Sequence, residues 1–372
     1  MLRKFPIIFN ILIPIIGAIG LLYYYKGSTR KGTDIGLGEG TLCYTPSIDH
    51  YPIHIMSPAG IDSMKSGYQR RGSKPVILWI GNSQLHGVNQ YKPGQSNCVE
   101  FLFHQLEATN REVMGMSYPN ANLQELLMTA VYFSKEVPVK AILAPVFYDD
   151  MREMGIRNDL HDQSMLDSIS KEPAYFSNLK EVNKLLVDSN TAHTASNDYN
   201  GIRETLQDRS ERYLNKKFDE HWVIWNSRAD FRARLFNDLY ITRNMLLGIK
   251  PNSVRKMIPG NYQDNYEAYR NLLRYCREKG IRLLIYIPPI RNDVTIPYDL
   301  NAYTTFKEQV KADCLASGAT FLNIENLIDN KYWGMKKSTG SFNGKGEVDF
   351  MHFQERGHQL IADTIFKTIA NW

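Results

Sequence analysis

The chain holds only four cysteines, Cys43, Cys98, Cys276 and Cys314, and no two of them form a C-x-x-C pair. A zinc ribbon or thioredoxin-type redox site is thereby excluded, while the count neither requires nor forbids an oxidising compartment. There is no H-E-x-x-H, which removes a zincin protease. There is no G-x-S-x-G either, so the nucleophile elbow of an α/β-hydrolase is missing. Gly340–Lys345 imitates a phosphate loop but is one residue short, and Gly346 stands where Ser or Thr is needed. His50 and His54 are four apart, but Pro52 between them opposes a helix and no acidic cluster accompanies them. No metal or cofactor is called for by any of these patterns. The folded part also lacks a charge surplus. Lys and Arg total 44, five of them in residues 1–31 where there is no acid, which leaves 39 against 39 acidic residues. A nucleic-acid partner would ask for a basic excess on the folded part, so none is expected.

What the chain does have is a hydrophobic fraction of 43% over 372 residues, enough to bury a core. It also has one long apolar run, Phe5 to Tyr25, free of charge and flanked by Arg3/Lys4 and Lys26/Arg30/Lys31. As a helix this run would extend about 31 Å, the thickness of a hydrocarbon core. It exceeds the h-region of a signal peptide and no A-x-A site follows it, so 1–31 reads as a single-pass membrane anchor with basic flanks. Charge on both flanks leaves the orientation undecided.

Residues 32–72 read as a linker and entry segment rich in Gly, Ser and Thr, with GLGEG at Gly36–Gly40 as part of it. Short apolar runs then alternate with amphipathic stretches. The runs are Val76–Ile80, Val113–Met116, Ala141–Phe147, Leu283–Ile287 and Thr320–Ile324. Helical patterns lie near Cys98–Ala108, Leu123–Phe133, Asp264–Lys279, Tyr303–Ala316 and Glu355–Ala370. Near-continuous apolar strands separated by helices predict a flavodoxin-like, doubly wound parallel sheet, the α/β class, over 73–372. About 135 residues separate the third and fourth runs, too many for one crossover. The polar, helix-prone stretch 155–262 is therefore expected as a mainly helical insertion, capping a site or meeting a partner, and a separate second domain is the lesser alternative.

Ligands bind such sheets at the carboxyl ends of the strands. The first strand runs into Gly81-Asn82-Ser83-Gln84-Leu85-His86, a tight turn in which a serine can be presented next to free backbone N–H groups, or can simply cap a helix. Near the other end, Asp349 stands three residues before His352, opening the terminal helix. That spacing lets a carboxylate hold imidazole Nδ1–H and leave Nε2 as a base. His86 is expected as a solvent-facing first-turn residue, with a second base or a substrate contact as the lesser alternative, and His358 as a packing or capping residue of the last helix.

These segments resemble the SGNH (GDSL-like) hydrolase superfamily. Gly81-Asn82-Ser83 is similar to its first block, with Ser83 at the nucleophile, and Asp349-x-x-His352 to its last, with acid and base. Tyr118-Pro119-Asn120-Ala121-Asn122 stands at the second block, where the resemblance implies a backbone donor at Asn120 in place of glycine and Asn122 along the pocket. The third block departs: Asp149 of Tyr148-Asp149-Asp150 occupies the place of an oxyanion-binding asparagine, and a carboxylate only accepts hydrogen bonds. Arg152 could return positive charge there.

An anchor followed by such a domain is similar to the surface-polymer O-acyltransferases of alginate O-acetylation and teichoic acid D-alanyl transfer. The resemblance implies a membrane-anchored serine esterase or O-acyltransferase with an extracytoplasmic catalytic domain. It would act on acyl esters of an envelope glycan or polymer, with a multispanning membrane partner supplying the acyl group. A catalytically silent glycan-binding or scaffold protein of an envelope complex is the alternative, and Asp149 is its main support.

Overall fold

In the computed structural model of the protein, residues 41–195, 228–250, 252–336 and 346–372 are described, with isolated positions elsewhere. Two compact units are resolved by their internal contacts. One comprises 40–200, 251–336 and 346–372; the other comprises 1–39, 201–250 and 337–345, and its described part is mainly the helix Arg228–Leu246. The run Phe5 to Tyr25 lies almost wholly outside the described residues. Among the described residues no helix is long and apolar enough to cross a membrane.

The larger unit is built on a six-stranded sheet. Its strands are β1 (His54–Ile55), β2 (Val76–Gly81), β3 (Glu112–Ser117), β4 (Val139–Pro145), β5 (Arg282–Ile287) and β6 (Thr320–Asn323). They lie in the order β6-β5-β4-β2-β3-β1, every neighbouring pair parallel. The five apolar runs thus are the five long strands. They read as continuous apolar stretches because successive side chains point to opposite faces and both faces are covered. Val76, Leu78 and Ile80 pack on one face with helices α1 (Ile61–Arg70), α4 (Leu123–Glu136), α5 (Pro259–Lys279) and α6 (Leu300–Ser317). Ile77 and Trp79 face the other way, onto α3 (Cys98–Leu106) and α7 (Glu355–Ile369). A four-residue helix, α2 (Ser83–His86), follows β2.

One part of the domain division comes out differently. Residues 41–72 are folded against the sheet rather than serving as linker. Thr41–Cys43 pairs with Gly87–Asn89, His54–Ile55 forms the sheet edge beside β3, and α1 buries Met64 and Tyr68. Strands of two or three residues are too short to show a period, so composition alone made this stretch look like a tether. The insertion is mainly helical in its described residues, and its first part is packed into the main core. Leu160, Met165, Ile169, Tyr175, Phe176, Leu179 and Val182 lie in the same core as α4. The reason is in α4 itself: Leu123 through Phe133 are all buried, most of them apolar, and such a helix needs cover away from the sheet as well.

The register brings the chemistry to one edge. Val76 pairs with Glu112 and Gly81 with Ser117, so β2 and β3 end level, and Trp79 stands opposite Leu143 of β4. The strand order reverses around β2, which places the segments after β2, β3 and β4 around one crevice.

Candidate active site

The turn after β2 is held by Asn82. Its Oδ1 accepts from Gln84 N–H (3.0 Å), capping α2, and its Nδ2 donates to both carboxylate oxygens of Asp150 (3.1 and 3.0 Å). Ser83 is the first helical residue and only 6% exposed. At that position its N–H has no acceptor within the helix. Gln84 reaches the opposite side of the crevice, donating to the carbonyls of Pro289 (2.9 Å) and Met351 (3.0 Å).

Asp349 and His352 sit in the strand Glu347–Phe353, which pairs antiparallel with Trp333–Lys336. Trp333 lies opposite Phe353 and Met335 opposite Val348, so residues 349–352 bulge out against Gly334 alone. Bulges re-aim side chains, and this one turns the Asp349 carboxylate back on its own segment. Oδ1 accepts from the N–H groups of Met351 (2.9 Å) and His352 (3.1 Å), and Oδ2 accepts from His352 Nδ1 (3.0 Å) and Asn89 Nδ2 (2.9 Å). His352 Nε2 then lies 3.0 Å from Ser83 Oγ. Burial opposes the charge on Asp349, but the imidazole beside it and the hydrogen bonds outweigh this and hold its pKa at about 2. The structure therefore brings Ser83, His352 and Asp349 into one hydrogen-bonded line across 269 residues of sequence.

Two glycines make that line sterically feasible. A Cβ at Gly87 would stand 2.6 Å from His352 Cδ2, and one at Gly334 would stand 2.0 Å from the Asn89 side chain. Both positions are close approaches that no other residue fills without displacing the imidazole or the amide behind the carboxylate.

At the second block, Asn120 has a φ of 52°, the left-handed region that favours glycine, and among the described residues its N–H makes no hydrogen bond. Asn122 is placed differently from the expectation. It is the N-cap of α4 in a reciprocal capping box with Glu125, and its Nδ2 donates to the Gly155 carbonyl (2.7 Å), so neither end of the amide is left to line a pocket. The turn is clamped by Arg157, which makes a two-point contact to Glu125 (2.9 and 2.7 Å), donates to the Pro119 carbonyl (3.1 Å) and lies over the Tyr118 ring.

At the third block, the residue that reaches the Ser83 turn is Asp150. Asp149 instead pairs with Arg255 and with Arg152 (3.4 Å), and Arg152 also donates to the Lys256 carbonyl (3.0 Å). Neither Asp149 nor Arg152 bonds to Ser83 or His352, because both arginines engage the carboxylate on its own side of the turn. Burial pushes the Asp150 carboxyl well above the usual range, against the pull of its Asn82 hydrogen bond. His86 is likewise not at the surface; it is fully buried on a chain that joins it through Ser117 to His54. His358 packs as expected, against Phe353 and the Gly87 carbonyl. Among the described residues no group of His, Cys, Asp or Glu could hold a metal ion.

Sequence reasoning missed Asn89, Gln84, Asn82 and Asp150. Asn82 and Asp150 stood beside residues already singled out, whereas Asn89 and Gln84 carry no pattern that sets them apart from other buried amides.

No family model and no curated protein matches the chain. Among solved structures, it is similar to a catalytic mutant of Axe2, an acetylxylan esterase from Geobacillus stearothermophilus. The identity is 10%, 81% of this chain and 96% of that one are covered, and the TM-score is 0.37. Another Axe2 mutant, described as an acetyl-xylooligosaccharide esterase, matches at 9% identity over the same shares with a TM-score of 0.36.

Proposed function

We propose that this chain is an SGNH-type serine esterase or O-acyltransferase acting on acyl esters of an envelope glycan or related polymer. The observation that supports it is the line from Asp349 Oδ2 through His352 to Ser83 Oγ, with both spacings 3.0 Å. In this reading Asp349 keeps the proton on Nδ1, so Nε2 accepts the Ser83 hydroxyl proton as Oγ attacks the acyl carbonyl. The oxyanion takes hydrogen bonds from the N–H groups of Ser83 and Asn120. Collapse of the tetrahedral intermediate breaks the bond to the leaving alkoxide, which takes the proton from His352 Nε2 and leaves the acyl group on Ser83. Water or an acceptor hydroxyl then attacks that ester, with His352 again as base, and Ser83 departs with its proton restored.

The scaffold alternative rested on Asp149 facing the oxyanion. With that carboxylate paired to Arg255 and Arg152, its repulsion is largely met, and the alternative rests on the missing amide donor alone. The apolar run Phe5 to Tyr25 extends the proposal to a membrane-anchored protein with its catalytic domain outside the cytoplasm, taking its acyl group from a multispanning membrane partner. The test is turnover of p-nitrophenyl acetate and of an O-acetylated glycan by the full-length chain beside its Ser83→Ala and His352→Ala variants. Loss in both variants with the fold intact is expected. Equal turnover in all three proteins refutes the reading.

A further inference from the structure

Asn89 makes one side-chain hydrogen bond among the described residues, and that bond goes to the triad. Its Nδ2 donates to Asp349 Oδ2 (2.9 Å), the same oxygen that accepts from His352 Nδ1 (3.0 Å). The amide cannot be turned round, because its carbonyl oxygen would then face a carboxylate that only accepts. The other end of the amide, Oδ1, is buried and meets no donor among the described residues. Asn89 lies in the strand Gly87–Asn89, where its backbone pairs with Thr41 whatever side chain it carries, and it is fully buried against Gly334. Packing and pairing would be served as well by an apolar side chain of the same size, which would leave no orphaned acceptor. What an amide adds at this position is the donor to Oδ2.

That donor acts on the base through the carboxylate. Oδ1 is occupied by the N–H groups of Met351 and His352, so Oδ2 is the oxygen on which Nδ1–H depends. A hydrogen bond to a carboxylate oxygen stabilises its charge and makes that oxygen less basic. With Asn89 in place, Oδ2 still fixes the imidazole tautomer, but it holds an imidazolium less tightly than a carboxylate without that second donor would. The charged and titratable side chains on the elements packed against the pair are neutral or committed elsewhere. Lys336 is paired with Glu347 (3.4 Å) and Arg291 with Asp293 (2.7 Å), while burial keeps His86, His358 and the Cys43 thiol uncharged.

We propose that Asn89 is a positioning residue that sets the basicity of His352 by sharing the Asp349 oxygen that holds Nδ1–H. The inference rests on the serine-esterase reading and adds to it the side chain that tunes how readily His352 takes and returns the Ser83 proton.

The test measures kcat and KM for p-nitrophenyl acetate from about pH 5 to about pH 9 in the full-length protein and its Asn89→Leu and Asn89→Asp variants. Leucine fills the space and removes the donor. The freed carboxylate then holds imidazolium more tightly, so the acidic limb of kcat/KM is expected to move to higher pH by about half to one unit. The plateau kcat is expected to fall about tenfold with KM unchanged. Aspartate keeps the shape and puts a second carboxylate beside the first, so the limb is expected to move the same way and further, by about one to three units. A side chain with only a structural role would lower the plateau and leave the limb where the parent has it. A limb that is unmoved, or moved to lower pH, in either folded variant overturns the proposal, while the parent's turnover keeps the esterase reading. If Asn89→Leu does not fold, the isosteric Asn89→Asp decides by the same criterion. A parent protein without turnover overturns the esterase reading and this proposal with it.

Discussion

Replacing Asp349 by asparagine changes one atom and has a consequence that can be worked through bond by bond. The carboxylate accepts four hydrogen bonds, two on each oxygen. If the new amide keeps its oxygen toward the Met351 and His352 N–H groups, its NH2 faces the Nδ1 of His352 and the Nδ2 of Asn89, both of which are donors to the native carboxylate. The imidazole relieves the clash by moving its proton to Nε2, and a protonated Nε2 donates to Ser83 Oγ instead of accepting from it. If the amide flips, the Met351 and His352 N–H groups lose their acceptor, and the buried one at His352 alone costs roughly 1–3 kcal/mol. The first arrangement is therefore favoured, and it disables the base. The expected result is a fall of about 10⁴ in kcat for p-nitrophenyl acetate with a folded protein by circular dichroism, the magnitude that a wrong imidazole tautomer produces in a Ser-His-Asp site. A variant with kcat within tenfold of the parent would refute the argument that Asp349 sets the tautomer.

Gly87→Ala should displace the His352 ring, since the added methyl would lie 2.6 Å from Cδ2, and reduce kcat about a hundredfold while the secondary structure is retained; activity equal to the parent would show that the ring has room to move. The pH dependence of stability follows from Asp349 as well. Its folded pKa of about 2 is below the ordinary carboxylate value, so its contribution, about 2 kcal/mol, is present above pH 4 and is lost as pH falls from about 4 toward 2. Thermal midpoints measured across that window should fall less steeply in Asp349→Asn than in the parent. Arg157→Ala leaves Glu125 as an unpaired carboxylate in a buried capping box and should lower unfolding stability on the order of 3 kcal/mol in a urea titration. A change under 0.5 kcal/mol would mean that the clamp contributes nothing to the Asn120 turn.

The strands were legible because both faces of β2 through β5 are buried, which turns each into an apolar block that composition alone exposes. Ser83, Asp349 and His352 were legible as residue types at the ends of such blocks. The edge strand His54–Ile55 was not, since two residues carry no period, and its His54 could be read only as half of an unpromising metal spacing. Nor was the bulge at 349–352, because pairing with Trp333–Lys336 depends on a partner strand that sequence spacing does not announce. Asn122 was misplaced for a related reason. In sequence it is one more polar residue after a strand, and only the position of α4 shows that its amide is spent on Glu125 and Gly155. His86 reads as solvated because a first-turn helix residue usually is; here it is fully buried, with Ser117 on its Nδ1.

The central claim is that Ser83 is an activated nucleophile. It is tested most directly by treating the full-length chain with a fluorophosphonate probe and locating the adduct by peptide mass. The account predicts a single labelled site at Ser83, absent in Ser83→Ala and strongly slowed in His352→Ala. A folded protein that takes no label at Ser83, or labels equally fast without His352, would contradict it.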